Sequence, residues 1–137
     1  MNADAEFFVQ PQSNVVSMRR TAPAPRVYCG QRKLSGCVVT VKTGLHEVGL
    51  DPRYDLAMHS PTGFEWGYGG SGPAQLALAL LADATSDDAR AVALYQRFKE
   101  VYVAPLVRNA PWSISDADVR KLVEAIEHAV AASAGGG

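Results

Sequence analysis

Residues 73–83, PAQLALALLAD, constrain this chain more than any other stretch. Eight of the nine residues 74–82 are alanine or leucine, and Gln75 is the ninth. Both are strong helix formers. Proline suits the first helical turn, where the N–H it lacks would have no intrahelical partner. A helix apolar on every side has no face to give to water, so it belongs in the middle of a structure. It is too short for a bilayer, which takes about 20 apolar residues. The segment therefore predicts a helix starting near Pro73, with the rest of the chain wrapped around it. A chain of 137 residues, 47% apolar and 20% charged, is enough for one such domain.

Two more helices are expected. The second runs from about Asp87 to Ala104, with Thr85 and Asp88 as a capping-box-like start. It would place Leu94, Tyr95, Phe98, Val101 and Tyr102 on one face and end before Pro105. The third has Ser115 as N-cap, Asp118 to complete a capping box, and Ile114 to pack on Val119. Its apolar residues Val119, Leu122, Val123, Ile126 and Val130 recur at helical spacing. Upstream, RVYCGQ (26–31) and CVVTVK (37–42) are rich in β-branched and aromatic residues, and the Ser-Gly between them signals a turn. They read as a β-hairpin. LHEVGL and FEW are candidate short strands. The fold class expected is α+β: a small antiparallel sheet from the N-terminal half packed against three C-terminal α-helices.

Residues 1–25 show no sustained apolar period and end in TAPAPR, so they read as a flexible N-terminal arm. The single domain is expected over 26–133, followed by a flexible Gly tail at 134–137. No signal peptide or membrane span is visible, so the default location is cytoplasmic. The net charge is −1, but residues 1–42 carry six basic and two acidic residues, and residues 43–137 carry seven basic and twelve acidic. A weakly basic arm and hairpin thus precede an acidic body. Cys29 and Cys37 are the only cysteines, and with His46 and His59 they match no zinc spacing, so no metal is expected.

GYGGSG, residues 67–72, fits the G-x-G-x-x-G pattern of nucleotide loops. Its surroundings do not. A dinucleotide fold needs a second parallel strand after the helix, and here a second helix follows. A Walker loop needs Gly-Lys-Ser/Thr, and this loop has no lysine. A kinase loop needs two flanking antiparallel strands, and a nucleophile elbow needs glycine where Pro73 stands. Two readings stay open. The glycines either only let the backbone turn into a buried helix, or they build a ligand or partner site. In the second reading the site residues are Glu65, Trp66, Tyr68, Gly70 and Ser71. Trp66 and Tyr68 offer flat apolar area with a polar tip, suited either to a core or to an interface. Glu65 can receive an amine or guanidinium, or cap backbone N–H groups of the turn. Ser71 is explained as an N-cap, or as a nucleophile if the fold brings His59 near it as a base.

YCG at 28–30, GFEWGYGGSGPAQLALALLAD at 63–83, YQRFKEVYV at 95–103 and WSIS at 112–115 together resemble the family known as domain of unknown function 6166. The likeness covers about residues 26–127. That family consists of small proteins of bacteria, archaea and their viruses and plasmids, and no activity is assigned to it. The resemblance implies an accessory protein of a mobile element and transfers no functional residue. The function expected is a small non-catalytic interaction protein that binds a host protein complex, as an anti-defence, anti-CRISPR-like inhibitor would. It needs no cofactor. Two other classes remain. One is a nucleic-acid-binding accessory protein that sets Arg19, Arg20, Arg26, Arg32 and Lys33 on phosphates. The other is a small-ligand binder or enzyme at the glycine loop.

Overall fold

The computed structural model describes residues 24–135. Nearly all of the expected arm, including Arg19 and Arg20, lies outside the described residues, as does the end of the glycine tail. The hairpin forms as expected. Strands β1 (Arg26–Lys33) and β2 (Gly36–Thr43) pair antiparallel from Arg26↔Thr43 to Lys33↔Gly36, leaving Leu34 and Ser35 as a two-residue turn. The short strand in LHEVGL is β3 (His46–Gly49), paired with β2. FEW is irregular and joins no sheet.

The fourth strand, β4 (Trp112–Ser115), comes from the C-terminal half. It pairs antiparallel with β1 from Val27↔Ser115 to Gly30↔Trp112, giving the order β3-β2-β1-β4. Four residues are too few to announce a period of two. The helix signal at the same place is nonetheless real. Ser115 ends the strand and caps the next helix, accepting the Asp118 N–H on its Oγ at 3.0 Å. Ile114, expected to pack on Val119, is a core residue opposite Tyr28.

Helix α1 (Ser71–Thr85) is the predicted centre, with all of residues 74–82 buried. It starts two residues before Pro73. Its N-cap is Gly70, with no side-chain cap bond, so Ser71 is the first helical residue and not the cap. Proline at the third position is tolerated because the first four N–H groups all lack intrahelical partners. The exception in the apolar run has a clear use. Gln75 is fully buried, donates to the carbonyls of Pro52 (2.7 Å) and Ala57 (3.0 Å), and accepts from the N–H groups of His59 (2.7 Å) and Ser60 (3.1 Å). One side chain thereby ties the 52–60 loop to the central helix.

Helix α2 (Asp88–Phe98) is capped by Asp87, which accepts the Arg90 N–H at 3.0 Å. Thr85, expected to cap it, instead donates to the Leu81 carbonyl at 2.7 Å and accepts from the Asp87 N–H. The helix does not run on unchanged to Ala104. A π-helical turn, Lys99–Val103, follows, and the Ala104 N–H reaches back to the Lys99 carbonyl at 2.8 Å. The wider turn shifts the phase of the side chains. Val101, expected on the core face, is 53% exposed, while Val103 is fully buried. Helix α3 (Asp116–Gly135) is the last described element.

One sheet face, carrying Tyr28, Val39, Val41, Trp112 and Ile114, joins the core. Helix α1 packs against α2, α3 and the π turn. The Tyr28 hydroxyl donates to Asp83 of α1 at 2.6 Å, tying sheet to helix. Alternation puts Cys29, Gln31, Lys33, Thr40 and Lys42 on the other face. Cys29 and Cys37 therefore stand on opposite faces of the sheet, and both are free thiols.

Candidate functional site

At the amino-terminal end of α1 the glycine loop and the Glu65 before it meet Arg32 near the end of β1 and the segment after the π turn. Each contact is made by a named residue. Gly67 has φ +88°, and a Cβ there would stand 2.7 Å from the Arg108 Cα. Its N–H donates at 3.1 Å to the carbonyl of Val103, the last residue of the π turn. The loop is thus pinned to the chain that leaves α2, in a backbone region that other residues rarely adopt.

Trp66, expected as a contact residue, is fully buried. It meets Trp112 edge-to-face, with ring centroids 5.6 Å apart at 84°, and Trp112 meets Tyr102 at 6.2 Å and 84°. The Trp112 indole occupies the space that a side chain at Gly30 would need. Burial raises the Tyr102 pKa to about 12, with Asp118 adding to the rise. Trp66 is therefore a core residue and is not available as a surface contact.

Glu65 does receive a guanidinium, and it is the chain's own. Arg32 donates to both carboxylate oxygens, at 2.9 and 2.8 Å, and also to the Arg108 carbonyl at 3.2 and 3.0 Å. Its guanidinium lies 5.1 Å over the Trp66 ring. The hydrogen bonds from Arg32 hold the Glu65 carboxyl below its ordinary pKa. The Trp66 N–H also approaches Glu65 Oε1, at 3.4 Å, so the capping role exists in a long form. The Cys37 thiol beside Glu65 is pushed up by burial and then by the Glu65 charge, which keeps it protonated and a poor nucleophile.

Tyr68 is the partly exposed aromatic of the loop, at 38%. Its ring packs on Gly70, where a Cβ would come within 2.6 Å of a ring carbon. Gly70 has φ −161°, so its need is for close approach and not for an unusual conformation. The Arg108 guanidinium lies 4.9 Å over the same ring. A Cβ at Gly72 would stand 2.6 Å from the Glu65 Cβ. Ser71 is exposed, and His59 is engaged elsewhere, its Nε2 2.6 Å from the Tyr95 hydroxyl. Among the described residues no hydrogen bond joins His59 to Ser71, and no group of three or more His, Cys, Asp or Glu is placed to hold a metal. The sheet is antiparallel throughout, so the loop lacks the parallel strands of a dinucleotide fold. Sequence reading missed Arg108 altogether. Its only signal was an arginine in a loop, and nothing local pairs it with Tyr68.

The other end of α1 carries two adjoining concavities of about 350 and 250 Å³ that share Arg26, Asp83 and Ser86. Their charges are largely matched internally. Arg53 bridges Asp55 (2.9 Å) and Asp88 (2.8 Å), Arg120 meets Asp116 (3.2 Å), and Arg26 Nε stands 3.4 Å from Asp83. Burial, then the hydrogen bond to Asp83, raises the Tyr28 pKa far above its ordinary value. Of the basic residues weighed for phosphate contact, Arg26 sits here and Lys33 at the opposite end of β1, roughly 23 Å away at 3.3 Å per residue. Arg32 is committed to Glu65. The described three do not form one basic patch. No helix among the described residues is long and apolar enough to cross a membrane.

Comparison with known proteins agrees with the motifs. The profile described as "Family of unknown function (DUF6166)" matches residues 28–125. No curated protein and no solved structure matches the chain. The match runs from the middle of β1 into α3 and takes in the whole glycine-loop end, so the chain belongs to this family of unknown function.

Proposed function

We propose that the protein is a non-catalytic interaction module that docks a protein partner on its glycine-loop end, with Tyr68 as the central contact. The observation that carries this is the way Tyr68 is held. Its ring packs against Gly70, the Arg108 guanidinium lies 4.9 Å over it, and the residue stays 38% exposed. Rigid, partly exposed tyrosine and arginine are the side chains most enriched at the energetic centres of interfaces. Leu34, two residues past Arg32, and Val107, beside Arg108, are exposed, and Arg32 brings the two segments together through the Arg108 carbonyl. Groups that chemistry would need are engaged internally: Glu65 with Arg32, and His59 with Tyr95. The family resemblance, to proteins found also in viruses and plasmids, supports a host complex as the partner, a defence complex among them.

Affinity capture from host lysate with quantitative mass spectrometry tests the reading. The tagged protein should enrich one host complex, and Tyr68→Ala should lose it while keeping its circular dichroism. Equal capture by folded Tyr68→Ala protein overturns the proposal. Calorimetric binding of ATP, GTP or NAD at about tens of micromolar, which would be typical of a specific small-ligand site, would move the protein to the ligand-binding class. Salt-dependent DNA binding would favour the nucleic-acid class.

A further inference from the structure

Arg26, Arg32, Arg53, Arg90 and Arg120 are each paired with a carboxylate. Among the described residues Arg97 and Arg108 are not. Arg97 is exposed on α2, and among the described residues it lies over no aromatic ring. Arg108 is different: among the described residues it has no acidic partner, yet its guanidinium lies 4.9 Å over the Tyr68 ring. No hydrogen bond among the described residues uses its N–H donors, and a guanidinium held by a ring with its donors unused can receive a carboxylate in two parallel hydrogen bonds. The nearest acid of the cluster, Glu65, is neutralised by Arg32. Lys33, next to Arg32, is exposed and has no ion pair among the described residues. This end is therefore locally positive, although the chain as a whole is −1. The uncapped N-terminus of α1, with no acid in its first turn, adds to the same sign.

We propose that the glycine-loop end binds a carboxylate-bearing segment of its protein partner: Arg108 takes an Asp, Glu or C-terminal carboxylate, and Leu34, Tyr68 and Val107 take the apolar side chains beside it. This rests on the docking reading above and names the chemistry of the partner. A protein segment fits better than a nucleic acid. Two free cations are few against the six or more phosphate contacts, roughly, of a typical DNA site. Exposed leucine, valine and tyrosine around a single arginine match the apolar core and anchor of a protein interface.

The test is an NMR titration of the ¹⁵N-labelled full chain with three peptides of equal length, alternating Leu with Glu, with Gln or with Lys, and with single-stranded DNA. The Glu peptide should shift the Arg108 side-chain resonance and the backbone amides of Gly67, Tyr68 and Gly69 saturably, and the Gln peptide should bind about tenfold more weakly or worse. Arg108→Gln should lose the difference between the two peptides. Arg108→Lys should recover only part of it, because lysine keeps the charge and loses the fork. Equal binding of the Glu and Gln peptides, no shift at millimolar Glu peptide, or tighter binding of the DNA at the same resonances would each overturn the inference. Host capture separates it from the docking proposal. A complex lost by Tyr68→Ala but kept by Arg108→Gln sinks the carboxylate and leaves the surface standing, while one kept by both sinks the two together.

Discussion

Gly67 and Gly70 sit in one motif and answer to different physics. At Gly67 an added methyl meets main chain, at 2.7 Å from the Arg108 Cα, in a backbone with φ +88°. Neither the strain nor the overlap has an easy escape, so Gly67→Ala should cost about 2–4 kcal/mol by chemical denaturation. At Gly70 the backbone is extended and the obstacle is the Tyr68 ring, which can swing away. Gly70→Ala should therefore cost about 1 kcal/mol or less and still displace Tyr68 from under Arg108. The stability of the two variants, with their capture of the partner, checks this. The opposite ranking would show that the loop is held by something other than the Gly67–Arg108 approach.

At the scale of elements, α1 is both core and clamp. Leu80 is fully buried, and Leu80→Ala should cost about 2–5 kcal/mol, the range for a leucine replaced by a cavity. Gln75→Leu keeps the volume nearly constant but strips partners from two carbonyls and two N–H groups of the 52–60 loop. Buried groups left without partners cost about 1–3 kcal/mol each, so this apolar substitution in an apolar helix should destabilise. Hydrogen exchange should speed at the His59 and Ser60 amides first. Unchanged stability in Gln75→Leu would mean that water replaces the amide. The π turn plays a comparable part, since the Val103 carbonyl that ends it is the acceptor anchoring Gly67.

Across the whole molecule, ion pairs join segments far apart in the chain: Arg32 to Glu65, Arg53 to Asp88, Arg90 to Glu127. In each pair the arginine's hydrogen bonds hold the carboxyl below its ordinary value. A carboxyl whose folded pKa is depressed contributes stability above its unfolded pKa and loses it as pH falls through the folded one. The melting temperature should thus be flat from pH 7 to about 5 and drop below roughly pH 4. Glu65→Gln, already less stable at pH 7, should show a smaller acid drop. An identical drop would show that Arg32–Glu65 carries none of the linkage. Removing residues 1–25, expected from sequence to be a flexible arm, should leave the melting temperature nearly unchanged, and a loss of several degrees would overturn that expectation.

Patterns that act within a few residues could be read without a structure. The all-apolar run of α1 had to be central because it has no polar face. The 26–42 hairpin announced itself by β-branched residues around Ser-Gly, and Ser115 by its place three residues before Asp118. Contacts between distant segments had no such local mark. Whether Thr85 or Asp87 caps α2, whether Val101 or Val103 faces the core, and whether four residues at Trp112–Ser115 form a strand depended on what packs against them. The candidate site divides the same way. The glycines, Glu65, Trp66 and Tyr68 were visible as an unusual motif. That Trp66 is buried, that Arg32 already fills Glu65, and that Arg108 lies over Tyr68 followed only when β1, the loop and the chain after α2 came together, because a side chain's free valence is set by its neighbours in space.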